Sequence, residues 1–281
     1  MRRRPLPLLL LYAALLTAGF GAFAGFGAFA GFAESAGAYE VPAMPDEKLT
    51  LGKEVGDVRL VDSYGKEFSL RSYIDGKPLI ISLIYTKCIT ACLLITDGFV
   101  DVVDKMGGLG TDFKALTLSF DPADTPELLS KYRQTWRLDR DGWIVAGGDK
   151  KEVAKLLASL DFHYVFDNAS GEFMHPNYLV LLTPGGKVSK YIYGVSYDGK
   201  TLKLSLLEAK KESSSLSVAE GFLLRCYKYD PITGTYSADW YFILEVVSGI
   251  VFFLSLFLFL LSKKIYLFIR TGIGKTFKLK V

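Results

Sequence analysis

The stretch at residues 79–92, LIISLIYTKCITAC, restricts the fold more than any other part of the chain. Its first half is apolar except for Ser82, as expected of a central strand that is covered on both faces. Cys88 and Cys92 follow, and apolar residues continue at roughly helical spacing as far as Met106. The sequence therefore predicts a buried strand that delivers a thiol pair to the start of a helix.

Strands and helices alternate after this stretch. The predicted strands cover residues 113–120, 143–146, 178–182 and 188–193, and the predicted helices cover residues 89–106, 126–136, 149–160 and 200–211. The segment Asp124-Thr125-Pro126-Glu127 marks one helix start, and a capping box at Asp149 marks another. This order predicts an α/β, thioredoxin-like domain on a mostly parallel sheet.

The domain is predicted to span residues 54–211 and to carry an extra β-hairpin at its N-terminal side. Apolar residues alternate over residues 57–70 around Ser63-Tyr64-Gly65, which indicates that hairpin. Residues 39–53 are polar and contain two prolines, so we predict a linker there. Residues 212–239 predict a serine-rich linker and a small β-hairpin around Asp230-Pro231, whose first strand would contain Leu223, Cys226, Tyr227 and Tyr229.

Residues 1–38 are predicted to be a signal peptide or an uncleaved signal anchor. Three arginines precede a leucine-rich run, which is typical of a secretory signal. The uncharged run at residues 5–33 includes a low-complexity Ala/Gly/Phe repeat and is also long enough to span a bilayer. Cleavage after Ala38 would fit the preference for small residues, so both alternatives stay open.

The other end of the chain predicts a transmembrane helix at residues 240–262. This segment carries one charge, Glu245, close to its start, and roughly 20 apolar residues suffice to cross a bilayer. Residues 263–281 contain several basic residues and no acidic one, so the positive-inside rule predicts a cytoplasmic tail. The predicted location is the cytoplasmic membrane, with the domain on the periplasmic or extracytoplasmic face.

Charge argues against a nucleic-acid partner. The formal net charge of +3 is small, and the middle of the chain has no basic patch interleaved with aromatic residues. A nucleic-acid partner is therefore not predicted.

Cys88 and Cys92 allow three chemical interpretations. A structural disulfide between them would close a small ring and stabilise little, so a functional pair is favoured. The pair could exchange disulfides, since a helix N-terminus lowers the pKa of a thiol. It could also bind a soft metal, because positions i and i+4 share one helix face and an imidazole could complete the site. Copper, or zinc with a fourth ligand, would suit such donors.

Two histidines are available as partners of the cysteines. His175 directly precedes a predicted hairpin strand, where thioredoxin-like folds bring a loop against the cysteine helix, so we predict a ligand role. His163 is predicted to be an ordinary surface or edge residue. Cys226 is the third cysteine. It could be a core residue, an accessory thiol or a redox partner of the pair, and all three roles stay open.

Three segments carry a resemblance to a known family. IYTKCITAC, LTLSFDPADTPELLSKY and the histidine before NYLVLLTPGGKVSKYIYG resemble the Sco/SenC family of copper chaperones and thiol-disulfide reductases, which serve cytochrome c oxidase assembly. The resemblance covers roughly residues 56–208. It implies that Cys88, Cys92 and His175 bind a copper ion and that Asp121 is the acidic group near them.

The implied function is that of a membrane-anchored copper chaperone that delivers copper to an acceptor subunit of cytochrome c oxidase. The alternative is a thiol-disulfide oxidoreductase that reduces cysteines of an oxidase subunit, does not itself carry copper and depends on a thiol-disulfide donor protein. Family members usually have proline after one or both cysteines, whereas Ile89 and Leu93 stand here. This departure bears on the balance between the two functions. A peroxiredoxin-like peroxidase is disfavoured because the Pro-x-x-x-Thr-x-x-Cys spacing is missing.

Overall fold

The computed structural model describes residues 42–88, 91–211, 216–230 and 234–277, with side chains up to Lys264 except that of Ala91. The signal-segment prediction for residues 1–38 lies outside these ranges. The helices are α1 Glu47–Thr50, α2 Leu70–Ile74, α3 Ala91–Met106, α4 Pro126–Thr135, α5 Lys150–Ser159, α6 Gly199–Lys211, α7 Val218–Cys226 and α8 Trp240–Phe277. The strands are β1 Arg59–Asp62, β2 Glu67–Ser69, β3 Leu79–Ile84, β4 Lys114–Ser119, β5 Trp143–Gly147, β6 Val165–Asp167, β7 Glu172–Met174, β8 Tyr178–Leu182, β9 Val188–Tyr193, β10 Tyr227–Asp230 and β11 Thr235–Ala238.

A seven-stranded sheet organises the domain, in the order β2-β1-β5-β4-β3-β8-β9. Strand β3 pairs in parallel with β4, and β4 with β5, while the other neighbouring pairs in this sheet are antiparallel. The prediction of a mostly parallel sheet is therefore wrong, because hairpins supply both outer pairs and a tight hairpin can join only antiparallel strands. The α/β, thioredoxin-like architecture and the extra N-terminal hairpin β1–β2 are confirmed.

Strand β3 lies inside the sheet, between β4 and β8, and is buried along its whole length. Its one polar side chain, Ser82, donates a hydrogen bond to Thr117 Oγ1 at 3.0 Å, and the Trp143 indole donates to the same oxygen at 3.1 Å. Buried polar atoms that are paired in this way cost little. The strand is thus a rigid support for the cysteines that follow it.

Two predicted linkers contain regular structure. Asp46 caps α1, and the amide of Gly52 donates to the carbonyl of Val188 at 2.8 Å, so the described part of residues 39–53 packs on the edge strand β9. In the C-terminal segment, Leu223 and Cys226 lie in helix α7 and not in a strand, because Ser217 and Glu220 form a capping box. The small hairpin predicted there exists, but it begins only at Tyr227.

Helix α8 contains the apolar segment near the C-terminus. Residues Trp240–Lys264 are long and apolar enough to cross a membrane, with a mean hydropathy of 2.6, and none of this window is buried in the protein. The helix continues to Phe277 through most of the predicted tail, whose last four residues lie outside the described ranges.

Candidate metal centre

The two cysteines stand at the junction of β3 and α3. The amide of Cys88 donates to the carbonyl of Tyr85 at 3.2 Å, which closes a turn, and the amide of Cys92 donates to Cys88 Sγ at 3.3 Å. Both side chains are buried, Cys92 completely. The sulfur of Cys88 therefore accepts a backbone hydrogen bond from the first turn of a helix, a position that favours negative charge.

Cys88 and Cys92 are not joined by a disulfide, so the structure shows the reduced pair. The hydrogen bond with Cys88 and the burial of the side chain raise the pKa of the Cys92 thiol far above its ordinary value. Cys92 is consequently protonated near neutral pH until a metal or a reaction partner displaces the proton.

His175 faces the cysteine pair from the segment between β7 and β8. Its Nε2 lies 3.6 Å from Cys92 Sγ, and its Nδ1 lies 3.0 Å from the carbonyl oxygen of Pro176. A carbonyl can only accept, so Nδ1 carries the proton and the lone pair of Nε2 points toward the sulfur. A backbone partner of this kind fixes the tautomer and the ring orientation of a metal-binding histidine.

Aromatic rings enclose the imidazole of His175. The ring centroids of Phe120, Phe162 and Tyr85 lie 5.2, 5.7 and 6.2 Å from its own. The resulting desolvation lowers the pKa of His175, because burial disfavours the charged imidazolium. The neutral ring is the form that can bind a metal.

The donor atoms fit a soft metal ion. Metal–sulfur and metal–nitrogen bonds of about 2.3 and 2.0 Å place sulfur and nitrogen roughly 3.5–3.8 Å apart at tetrahedral to trigonal angles. The Cys92–His175 separation of 3.6 Å lies in this range. Within the described ranges, no three or more His, Cys, Asp or Glu side chains are already drawn together tightly enough to hold a metal. Cys88, which is hydrogen-bonded to the Tyr85 hydroxyl, is the remaining sulfur donor beside this pair.

The acidic residue that reaches the cysteine loop is Asp124. Its carboxylate accepts from the amide of Thr86 at 2.8 Å, from the Thr86 hydroxyl, and from Ser119 Oγ at 2.5 Å. Asp121 instead accepts from the amide of Ala123 at 2.8 Å, within its own turn. The predicted role of Asp121 near the metal stays a prediction. The sequence indicated Asp124 only as part of a helix start, although its place in the FDPADTP string was a usable signal.

His163 and Cys226 lie in other surroundings. His163 Nε2 lies 2.7 Å from Asp161 Oδ1, and about half of the histidine side chain is exposed, as expected of a surface residue. Cys226 is partly buried at the last position of α7. Its role stays open.

The sequence predicted a short strand, HYVF, at His163, but it did not predict the hairpin β6–β7 that precedes His175. Its strands pair from Val165–Met174 to Asp167–Glu172, and Phe173 packs edge-on against Tyr85 at 5.1 Å. The hairpin thus holds the histidine segment against the cysteine loop. The strands of three residues each are too short for periodicity to reveal.

The fold and this site define a thioredoxin-like domain with a CxxxC pair and a facing histidine. The family model described as SCO1/SenC matches residues 47–204, more than half of the chain. The chain therefore belongs to the SCO1/SenC family. A search of curated proteins finds no match.

The chain is also similar to several solved structures. A crystal structure of a proposed electron transfer protein from Aquifex aeolicus VF5 is 40% identical, with a TM-score of 0.55, and the match covers 58% of this chain and 95% of that one. BsSco, a member of the Sco family of cytochrome c oxidase assembly proteins in which a disulfide switch was identified, is 26% identical, with a TM-score of 0.49 and coverages of 60% and 98%. Arabidopsis thaliana ScoI, solved with copper bound, is 21% identical, with a TM-score of 0.46 and coverages of 57% and 99%. Copper binding and oxidase assembly are properties of those proteins.

Proposed function

We propose that this protein is a copper chaperone that binds one copper ion as cargo through Cys88, Cys92 and His175. The observation that carries the proposal is the pair formed by Cys92 Sγ and His175 Nε2, 3.6 Å apart, with the histidine proton held on Nδ1 by Pro176. Two thiols and one neutral imidazole form a soft donor set of the kind that selects Cu(I).

Binding and release then follow from the burial of the donors. Copper replaces the protons of the two thiols, so two protons leave as the ion binds. Release reverses this step when a thiolate of the acceptor takes the place of one sulfur at a time. Cys88 as a residue retains 4% exposure while Cys92 has none, so we expect the acceptor to displace Cys88 first. No electron changes hands in such a transfer.

The family and helix α8 support a proposal for the place of delivery. We propose that α8 crosses the cytoplasmic membrane, with Lys263 and Lys264 toward the cytoplasm and the domain on the extracytoplasmic face. The acceptor on that face would be the copper-binding subunit of cytochrome c oxidase, since the family includes oxidase assembly proteins.

Copper titration of the full chain in detergent tests the site. We expect one Cu(I) per chain in the wild type and in Cys226→Ser, which serves as the matched control for loss of a thiol. We expect Cys88→Ser and His175→Ala to lower the affinity by more than about 100-fold, because even outer-shell groups contribute 10–100-fold. Unchanged stoichiometry and affinity in both variants would show that the site assignment is wrong.

A second function is favoured by the dithiol itself. Cys88 is hydrogen-bonded at a helix start, and the Cys92 thiol contacts it, so the pair could be oxidised to a disulfide while reducing a disulfide of an oxidase subunit. The two electrons would return from a thiol-disulfide donor protein. This function predicts exchange with a disulfide substrate that persists in His175→Ala, whereas a pure copper chaperone predicts none at a comparable rate.

A further inference from the structure

Helix α7 carries apolar side chains that the described part of the protein does not cover. No residue of this nine-residue helix is buried, although it contains Val218, Phe222 and two leucines. Val218 is 93% exposed and Phe222 is 50% exposed. Short helices depend on the burial of an apolar face for their stability. Something outside the described residues is therefore expected to cover α7.

The position of α7 is fixed at the first turn of α8. The ring of Phe222 lies 5.9 Å from that of Phe242, and the guanidinium of Arg225 lies 4.6 Å above the same ring. Arg225 also forms an ion pair with Asp239 at 3.3 Å, directly before α8 begins. These contacts hold α7 beside the start of the apolar helix.

The opposite side of α7 is attached to the domain. Glu220 forms an ion pair with Lys210 of α6 at 3.0 Å, and Leu223 lines a cavity together with Leu206 of α6. Residues 218, 222 and 225 are spaced at i, i+4 and i+7 and therefore share the other helix face. Val218 and Phe222 thus point away from the domain.

The hairpin β10–β11, which follows α7, restricts the movement of α7 relative to the domain. Lys190 of β9 bonds to Glu208 at 2.6 Å and to the Tyr236 hydroxyl at 2.7 Å, and its ammonium lies 3.7 Å from the ring centre of Tyr229. Tyr236 is almost fully buried in this contact. The hairpin β10–β11 is therefore docked on the domain.

We propose that α7 is an interfacial helix that lies in the headgroup region of the lipid bilayer, with Val218 and Phe222 inserted beside α8. Phe222 contacts Phe242. Phe242 follows Trp240 by two residues and therefore lies about 3 Å from it along the axis of α8. Trp240 and Tyr241 are largely exposed and stand where an aromatic belt marks the membrane interface. An amphipathic helix at that depth buries its apolar side in the boundary between headgroups and acyl chains. The inference rests on the proposal that α8 spans the membrane.

Photo-crosslinking of the full chain in phosphatidylcholine–phosphatidylglycerol vesicles tests the inference. The photoreactive residue p-benzoylphenylalanine replaces Phe222, Val218, Phe253 or Tyr64, one at a time, and mass spectrometry identifies the adducts. Val218 guards against a folding defect, because its side chain is almost fully exposed. Phe253 reports on insertion of α8, and Tyr64, in the turn between β1 and β2, is an exposed aromatic control.

We expect lipid adducts at positions 222, 218 and 253 and none above background at 64. Lipid adducts at 253 without any at 222 and 218 would overturn the interfacial helix and leave the membrane anchor standing. Absence of lipid adducts at 253 as well would overturn both. Adducts of 222 and 218 with a second copy, or with a segment of the same chain other than the first turn of α8, which already contacts Phe222, would show that protein covers this face and would also overturn the inference.

Discussion

The cysteine end of the domain and its C-terminal attachment are held together by different forces. Around His175 the contacts are buried aromatic rings and backbone hydrogen bonds, with Phe120 only 2% exposed. Around α7 the contacts are ion pairs and cation–π contacts between half-exposed side chains, such as Lys210 with Glu220. A donor set must keep its geometry while the cargo is absent, which requires close packing. An attachment needs only to set a position, and surface contacts suffice for that.

The comparison predicts that removal of an aromatic ring lowers the free energy of unfolding strongly at the cysteine end and only slightly at the C-terminal attachment. Phe120→Ala should lower the free energy of unfolding by about 3–5 kcal/mol, because a buried phenylalanine leaves a cavity. Phe222→Ala, the matched change on the half-exposed ring, should change it by less than about 0.5 kcal/mol. Denaturant unfolding of both variants in detergent measures the two free energies of unfolding. Equal decreases in both variants would show that the two ends are not held by different forces.

Asp124 and Asp121 sharpen the description of the cysteine end. Asp124→Ala leaves the Thr86 amide and the Ser119 hydroxyl without their acceptor, so we expect a loss of about 1–3 kcal/mol in stability. Copper affinity should fall as well, since the loop before Cys88 is released. Asp121→Ala removes one bond within an exposed turn and should have the smaller effect on both quantities. The reverse order in copper titration would favour Asp121 as the group that supports the metal.

Lys190 tests how the hairpin is attached. Lys190→Met removes the ion pair with Glu208 and the contacts with Tyr229 and Tyr236, so we expect the hairpin to lose about 1–2 kcal/mol of local stability. Hydrogen exchange of the β10 and β11 amides should become faster while copper affinity stays unchanged. Lys200→Met, which removes only a cation–π contact with Tyr227, is the control. A loss of copper affinity in Lys190→Met would show that the two ends are coupled.

Loss of the capping box of α7 should have the smallest effect on stability of the changes considered, and this effect should depend on pH. Hydrogen bonds from Ser217, its backbone amide first, and the contact with Lys210 lower the pKa of Glu220 to about 2. A carboxylate whose pKa is depressed on folding stabilises the fold above its unfolded pKa and loses that contribution as pH falls toward the folded value. Helix α7 should therefore fray between about pH 4.5 and pH 2, as measured by hydrogen exchange.

A variant without the carboxylate provides the control for this pH effect. Glu220→Gln should already show the faster exchange of α7 at neutral pH and should respond little to acid. Ser217→Ala should cost about 1 kcal/mol at neutral pH, as loss of a helix cap does. An α7 that exchanges at the same rate in both variants and the wild type would show that the cap does not hold the helix.

Local patterns predicted most of the elements but not their partners. The continuous apolar run predicted β3, because a strand covered on both faces needs apolar residues throughout. Proline after a capping threonine predicted α4 correctly. In contrast, local patterns did not predict whether β1 and β8 run parallel or antiparallel to their neighbours. That depends on the sheet edge at which each hairpin packs. Helix α7 was missed because tyrosines and a proline downstream suggested strands for the whole segment.

The sequence by itself determined which chemical groups the candidate site contains: a thiol pair after a buried strand and one histidine directly before a hairpin strand. It also determined the apolar segment near the C-terminus. Each of these depends on residue type and short-range spacing, which the chain carries directly. Only the tertiary structure decided that His175 offers Nε2 to Cys92, that Asp124 and not Asp121 holds the cysteine loop, and that α7 turns two apolar side chains outward beside α8. These are contacts between segments far apart in the chain, and they arise from packing that no local pattern encodes.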